Sequence, residues 1–320
     1  MSKKTALLCP SRRRILAGSI AALISGATQP AQAEPSHRLR ISSQESSILF
    51  EIARERKLFE QPLAEAGYAA EWSTLGHSPA QMGQVDFLSD IAEAVPVSIH
   101  PFFPDLALYA AEGPSPHALG LLTRKDRNID SIAALRGRSV AVAKSGSSFN
   151  LLLVSLQQAG MMLSDIRPVY LPEAGSLQAF RTGSIDVWAT FDPFFTFGRA
   201  LPEASVLEDG AAVGMHYNRY YMADRTFVRD NPRTVAIIRS VLTETASWLN
   251  ANQEEGARIL SARWQNMPLD IVAEVLKHRN FTIRPADDTD ISVLESIAAT
   301  YAAAGLIAPD NDMKTLTLIR

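Results

Sequence analysis

Short apolar segments alternate with helix-forming segments through the middle of the chain, and this alternation limits the fold more than any other feature. Between Ser131 and Thr190 the predicted strands and helices follow one another as Ser139 to Val142, Phe149 to Ala159, Pro168 to Leu171, Ser176 to Arg181 and Ile185 to Thr190. Strands that alternate with helices pair in parallel, because each helix carries the chain back to the start of the next strand. The segment therefore predicts a small doubly wound α/β domain.

The flanking segments differ from this middle part and from each other. On the N-terminal side, a helix from about Ser47 to Ala66 is predicted among strands over Leu39 to Ser43, Ala70 to Leu75 and Val85 to Ile91. Beyond Asp224 the predicted helices run from Asn231 to Leu249, Gln253 to Trp264, Leu269 to His278 and Ile291 to Ala304. A second lobe inserted into a first one explains this order. We expect lobe 1 to comprise residues 34–116 and 221–320, and lobe 2 to comprise residues 117–220.

An export signal is predicted over residues 1–33. The arginines of Ser11-Arg12-Arg13-Arg14-Ile15-Leu16 precede a weakly apolar run that ends in the small-x-small cleavage site Ala31-Gln32-Ala33. The order of these residues resembles a twin-arginine signal, and an ordinary secretory signal remains the alternative. This segment carries five of the 31 basic residues and none of the 34 acidic ones, so cleavage changes the net charge from −3 to 26 − 34 = −8. Neither value indicates a nucleic-acid partner.

The sequence gives no indication of catalysis. The only cysteine, Cys9, lies within the predicted signal, which excludes a disulfide or a cysteine nucleophile after cleavage. The six histidines show no spacing typical of metal ligands, and no P-loop, dinucleotide fingerprint or Gly-x-Ser-x-Gly elbow occurs. We therefore predict no catalytic residues, no metal and no cofactor.

Several polar residues follow predicted strands, where either helix capping or ligand binding explains them. Gly146, Ser147 and Ser148 begin a helix whose first N–H groups have no partner within the helix, and such a turn can hold an anion. Capping alone also explains the serines. The same choice applies to Asp192 before Pro193, and the carboxylates of Asp90 and Glu93 stay equally open.

One segment, Gly183-Ser184-Ile185-Asp186-Val187-Trp188-Ala189-Thr190-Phe191-Asp192-Pro193, resembles a known signature almost residue for residue. The pattern GSxDxWxxxDP is similar to that of the periplasmic substrate-binding proteins of ABC importers, in their aliphatic sulfonate, taurine and nitrate branch. Weaker similarity is carried by Gly113 to Pro116, Asp165 to Pro172 and Arg279 to Pro285. The resemblance implies a type II periplasmic-binding-protein fold, in which two α/β lobes joined by a double-crossover hinge close over a ligand.

The resemblance also implies a function and a set of ligand-contacting positions. The chain is expected to act in the periplasm as a monomer, to capture a small organic anion such as an aliphatic sulfonate, and to deliver it to a permease with its ATPase subunit. The implied ligand-contacting positions are Gln44, Ser46, Glu93, Gly146, Ser147, Ser148, Asn150, Asp192, Tyr217, Asn218 and Arg219.

This chain departs from the family pattern near the helix start. Phe149 stands where relatives have histidine, the order of Gly146 and Ser147 is exchanged, and Glu45 replaces a frequent lysine. Together with Glu45, the carboxylates of Asp90, Glu93 and Asp192 are expected to repel an anion. The alternatives are therefore nitrate, an aromatic sulfonate, a thiamine-precursor pyrimidine, or an enzyme on the same fold.

Overall fold

The computed structural model describes residues 37–44, 46–74, 84–144 and 146–319. The predicted export signal, Glu45 and Ser145 lie outside these residues. The strands are β1 (His37–Ser43), β2 (Tyr68–Thr74), β3 (Phe87–Leu88), β4 (Ile91–Ala92), β5 (Leu106–Glu112), β6 (Leu119–Arg124), β7 (Ser139–Val142), β8 (Arg167–Tyr170), β9 (Val187–Phe191), β10 (Ala204–Asp209), β11 (Arg219–Asp224) and β12 (Ile283–Arg284). The α-helices are α1 (Ile48–Glu55), α2 (Glu60–Glu65), α3 (Ala94–Ile99), α4 (Ser147–Gln158), α5 (Glu173–Arg181), α6 (Phe194–Arg199), α7 (Arg225–Asp230), α8 (Pro232–Ala251), α9 (Gln253–Arg263), α10 (Leu269–His278) and α11 (Asp288–Ala303).

The strands form two separate sheets. In the first sheet the order is β12-β5-β11-β3-β1-β2, with β4 paired to β11. Strand β1 runs parallel to β2 and β3, whereas β11 runs antiparallel to β3, β4 and β5. The second sheet has the order β10-β6-β9-β7-β8, in which β7 is parallel to β8 and β9. The chain thus passes to the second sheet after β5 and returns to the first one at β11.

Every residue of strand β5, in the first sheet, is buried. Its run of apolar side chains is typical of a strand covered on both faces by helices. The one charged residue of β5, Glu112, is fully buried at the end of the strand. An ionised carboxylate in that position needs a partner, so a cation is required nearby.

Two predictions from periodicity were wrong in detail. The helix expected from Ser47 to Ala66 is two helices, because Lys57 adopts the left-handed conformation at φ 57° and interrupts the helical turns. The strand expected from Val85 to Ile91 is two short strands, β3 and β4. The residues between them, Ser89 and Asp90, are buried polar groups rather than members of a ladder.

No helix among the described residues is long and apolar enough to cross a membrane.

Candidate functional site

Polar side chains from the ends of β1 and β3 meet around Asp90, which is completely buried. Ser47 donates its hydroxyl to Asp90 Oδ1, and Gln44 donates its side-chain amide to the Asp90 carbonyl oxygen. The Gln44 N–H also donates to Ser89 Oγ over 3.1 Å. The carboxyl ends of parallel strands lie at one edge of a sheet, which explains why residues more than 40 positions apart come together.

Arg219 neutralises Asp90. Its Nε donates to Asp90 Oδ2 over 2.7 Å, its Nη2 to the Asp90 carbonyl over 3.2 Å, and its Nη1 to Tyr217 Oη over 3.2 Å. Burial is the largest single effect and lowers the pKa of Arg219, but Asp90, Tyr217 and Glu112 together outweigh it and raise that pKa above its ordinary value. All three guanidinium nitrogens therefore have protein partners.

A second buried pair lies next to the first. Arg279 donates from Nη2 to Glu112 Oε2 and has the same nitrogen 3.7 Å from Asp90 Oδ2. The Tyr221 hydroxyl donates to the other oxygen of Glu112. Burial raises the pKa of Glu112, and the Arg279 charge opposes that effect. Two carboxylates and two guanidinium groups thus balance, which gives this buried cluster no net charge.

Glu93 connects the start of α3 to the returning crossing, the segment just before β11 in which the chain passes back from the second sheet to the first. Its Oε2 accepts the N–H of Asn218 over 2.9 Å, next to Tyr217, whose backbone is left-handed at φ 52°. Burial raises the pKa of Glu93 to about 7, although the backbone N–H groups of Asn218 and Tyr217 stabilise its charge. Glu93 therefore loses much of its negative charge near neutral pH.

The first turn of α4 combines a helix N-terminus with buried hydroxyl and amide groups. Ser147 Oγ accepts the N–H of Ala94 over 3.4 Å, and Tyr301 donates its hydroxyl to the Gly146 carbonyl over 3.0 Å. Ser148 Oγ and Asn150 Oδ1 are buried without a hydrogen-bond partner among the described residues. Unpartnered buried groups are costly, so this turn is suited to receiving a ligand.

Asp192 has both oxygens occupied. Oδ1 accepts the N–H of Thr196 over 2.9 Å, in the first turn of α6, and Oδ2 lies 2.8 Å from His278 Nδ1. The N-cap of α6 is Pro193 rather than Asp192, so the capping position expected for Asp192 was wrong by one residue, although its carboxylate still accepts an N–H of the first turn. The other contact joins the second sheet's helices to α10.

A cavity of about 380 Å³ is lined by residues from segments next to the first sheet and from segments next to the second sheet. Glu93 and Asn150 line it, together with His216 from the returning crossing and with α11 side chains. Ser46 is half-buried, whereas Tyr217, Asn218 and Arg219 are buried. Most of the sequence-predicted positions thus fall into three groups: those around Asp90, those around Glu93 and those at the start of α4. Asp192 lies apart, against Thr196 and His278.

The contributors that were not among the predicted site positions include Ser47, Ser89, Glu112, His216, Tyr221, His278, Arg279 and Tyr301. Arg279 opens a segment noted for its family resemblance, and that was the available signal for it. Glu112 carries no local signal except its position within an apolar strand. Among the described residues, no cluster of three or more histidine, aspartate or glutamate side chains is arranged to hold a metal ion.

Comparison with known proteins identifies the family. A family model described as NMT1/THI5 like matches residues 115–256. An aliphatic sulfonates-binding protein of Escherichia coli (strain K12) is 30% identical over 304 residues, which cover 93% of this chain and 93% of the relative. The chain belongs to the family of aliphatic sulfonate-binding proteins.

Solved structures of this family share the fold. The periplasmic aliphatic sulphonate binding protein SsuA from Escherichia coli superposes with a TM-score of 0.80 at 26% identity, over 88% of this chain and 92% of that one. The alkanesulfonate-binding protein SsuA from Xanthomonas axonopodis pv. citri, bound to MOPS, gives 0.78 at 23% identity, over 89% and 99%. The predicted periplasmic-binding-protein fold, with two α/β lobes joined by a double crossover, is confirmed.

The same fold also carries an enzyme. The desulfurization enzyme DSZB superposes with a TM-score of 0.61 at 14% identity, over 87% of this chain and 98% of that one. At this identity the similarity concerns the fold alone. The fold alone therefore does not distinguish a binding protein from an enzyme, and the distinction has to come from the residues of the site.

Proposed function

We propose that this aliphatic sulfonate-binding protein is the solute-binding subunit of an ABC importer. It captures a small organic anion, an aliphatic sulfonate, between its two lobes and delivers it to a permease with its ATPase subunit. It acts in the periplasm after export, with residues 1–33 cleaved as a twin-arginine signal, and it acts as a monomer. The names of its relatives support the ligand class and the compartment.

The first turn of α4 carries this proposal. A helix N-terminus presents unpaired N–H groups and the positive end of the helix dipole, so it attracts an anion without a formal charge. The buried, unpartnered hydroxyl of Ser148 adds a donor at the same turn. A sulfonate is ionised at all physiological pH values and has three acceptor oxygens, so it needs donors of this kind.

The electrostatic objection to an anion is answered by the partners of the carboxylates. Asp90 is paired with Arg219, and Asp192 lies beside His278. Glu93, with its pKa raised to about 7 by burial, is partly protonated at neutral pH. The repulsion that the sequence predicts from Asp90 and Glu93 is therefore much reduced.

The expected affinity is in the range of transport proteins. Hydrogen bonds to charged groups contribute about 1.5–3 kcal/mol each. Three or four of them, less the cost of ordering the ligand, reach about 8 kcal/mol, which corresponds to a micromolar dissociation constant.

We assign residues 34–116 and 221–320 to lobe 1 and residues 117–220 to lobe 2. The membership of the two sheets supports this division, since the second sheet contains only strands between Leu119 and Asp209. Arg219 and Tyr220 are the exception, because they begin β11 of the first sheet. The ligand drives closure only through its higher affinity for the closed form.

We further propose that the protein is not a catalyst. The only cysteine in the sequence is Cys9, within the proposed signal, so the cysteine chemistry of a desulfinase is unavailable after cleavage. Measurable turnover of a sulfonate or sulfinate by the purified protein would contradict this proposal.

The test is isothermal titration of the purified protein with methanesulfonate, taurine, sulfate, nitrate and a thiamine-precursor pyrimidine. Because Ser148 Oγ is expected to donate to the anion, Ser148→Ala should weaken methanesulfonate binding by about tenfold or more. Ser164→Ala, at an exposed position away from this turn, is the matched control. Binding of nitrate or the pyrimidine without any sulfonate would retain the fold and refute the ligand.

A further inference from the structure

A second cavity, of about 690 Å³, lies beside the first turn of α4. Its wall includes the aromatic rings of Phe102, Phe149 and Tyr301, together with Leu306 and Ile307 from the segment after α11. Its volume is in the range of pockets that hold small organic molecules, and it far exceeds the space that a short alkanesulfonate needs. Its lining is mostly apolar, as such pockets require.

Two residues that line this cavity, Phe149 and Tyr301, also contact or adjoin the proposed anion seat, which is the first turn of α4 (Gly146 to Asn150). Phe149 follows Ser148 directly in α4, and its ring lies 6.1 Å from the ring of Tyr301. Tyr301 in turn donates its hydroxyl to the carbonyl of Gly146, at the start of the same turn. A ligand whose anionic group binds at this turn therefore has its remaining atoms next to aromatic side chains.

An exposed aromatic side chain at the cavity is a second, independent observation. Phe102 is 72% exposed, the largest exposed fraction among the large apolar side chains of the described residues. A phenylalanine this exposed gains little from packing within the protein, and exposed apolar surface next to a cavity commonly marks a binding site.

The charges of the lining indicate the orientation of the ligand. Lys144 lines the cavity and precedes Gly146, the start of the anion seat, by two residues in the sequence. The acidic side chains, Asp310 and Asp312, belong to the segment after α11. An anion is therefore favoured at the α4 end, with its apolar body directed along the aromatic wall.

We propose that this cavity receives the apolar body of the ligand, and that the protein selects sulfonates carrying an aromatic ring system over short alkanesulfonates. This inference rests on the proposed function, because the sulfonate group is held at the α4 turn. Phe149, in the first turn of α4, and the exposed Phe102 are the residues that determine this selectivity.

The test compares naphthalene-2-sulfonate with methanesulfonate by isothermal titration of the complete purified protein. The wild-type protein should bind naphthalene-2-sulfonate more tightly. Loss of one aromatic contact in Phe102→Ala should weaken naphthalene-2-sulfonate binding by about two- to tenfold and leave methanesulfonate binding unchanged. Ile307→Trp, which fills the cavity, should weaken naphthalene-2-sulfonate binding further and should also leave methanesulfonate binding unchanged.

Leu269→Ala, a half-exposed leucine of α10 outside the cavity lining, is the matched control. Unchanged naphthalene-2-sulfonate binding in Phe102→Ala and Ile307→Trp, with normal methanesulfonate binding, would overturn the cavity assignment and leave the proposed function intact. Failure of wild-type protein to bind either sulfonate would refute the anion seat and, with it, this inference.

Discussion

Substitution of Glu93 by glutamine should change how stability depends on pH. Burial raises the pKa of Glu93 from an ordinary value of 4.5 to about 7. A raised pKa means that the folded state binds the proton more tightly than the unfolded state does. The associated stabilisation is complete below pH 4.5 and is lost as the pH rises through 7. The shift of about 2.5 pH units corresponds to about 3 kcal/mol.

Glutamine keeps an oxygen that accepts the Asn218 N–H but cannot ionise, so Glu93→Gln should avoid this loss. Relative to its value at pH 4.5, the free energy of unfolding at pH 8 should be higher in Glu93→Gln than in wild type by up to about 3 kcal/mol. Some slope should remain in Glu93→Gln, because burial also raises the pKa of Glu173 to about 7.

Urea unfolding from pH 4.5 to 8.5, followed by circular dichroism, measures this difference. Glu55→Gln, at an exposed position of α1, is the control and should stay within about 0.5 kcal/mol of wild type. Parallel pH profiles for wild type and Glu93→Gln would refute the reasoning, because they would show that Glu93 ionises equally well in both states.

Two further tests concern a buried ion pair and the packing around a buried glycine. Arg219→Met leaves Asp90 buried without its main partner and should lower the free energy of unfolding by about 3–5 kcal/mol in the same urea assay. The double variant Arg219→Met/Asp90→Leu should recover part of that loss. An equal loss in the single and the double variant would contradict the pairing. Gly198→Ala places a methyl group 2.5 Å from Leu122 Cδ1 and 3.0 Å from the Trp188 ring and should cost about 1–3 kcal/mol in thermal unfolding. Gly146→Ala, which meets nothing within 4 Å, should lower the melting temperature less than Gly198→Ala does, since only the N-cap preference of α4 is affected.

The fold was largely predictable because its signals are local. The βα alternation from Ser139 to Thr190 indicated strands that the structure contains as β7, with the predicted bounds, and as β8 and β9, with bounds shifted by one or two residues. Glycines 160, 183 and 305 adopt positive φ where helices were predicted to stop. The break at Lys57 was not predictable, since nothing in a lysine side chain favours the left-handed conformation.

The site was less predictable because its chemistry depends on contacts between distant segments. The sequence marks Asp90 and Asp192 as carboxylates after strands but contains no local information on their partners. Arg219 lies 129 positions from Asp90, and His278 lies 86 positions from Asp192. The expected repulsion of an anion therefore rested on carboxylates counted without their hydrogen-bond and ion-pair partners.

The position of β11 has a consequence for how the chain folds during synthesis. This strand lies between β3 and β5 in the first sheet, yet more than 100 residues separate it from β5 in the sequence. The first sheet therefore cannot close until the ribosome has released residues 219–224, whereas the second sheet, built from one continuous segment, can assemble earlier. Until then β3 and β5 each present an unpaired edge, and a nascent chain stopped before Arg219 is expected to be prone to association through those edges.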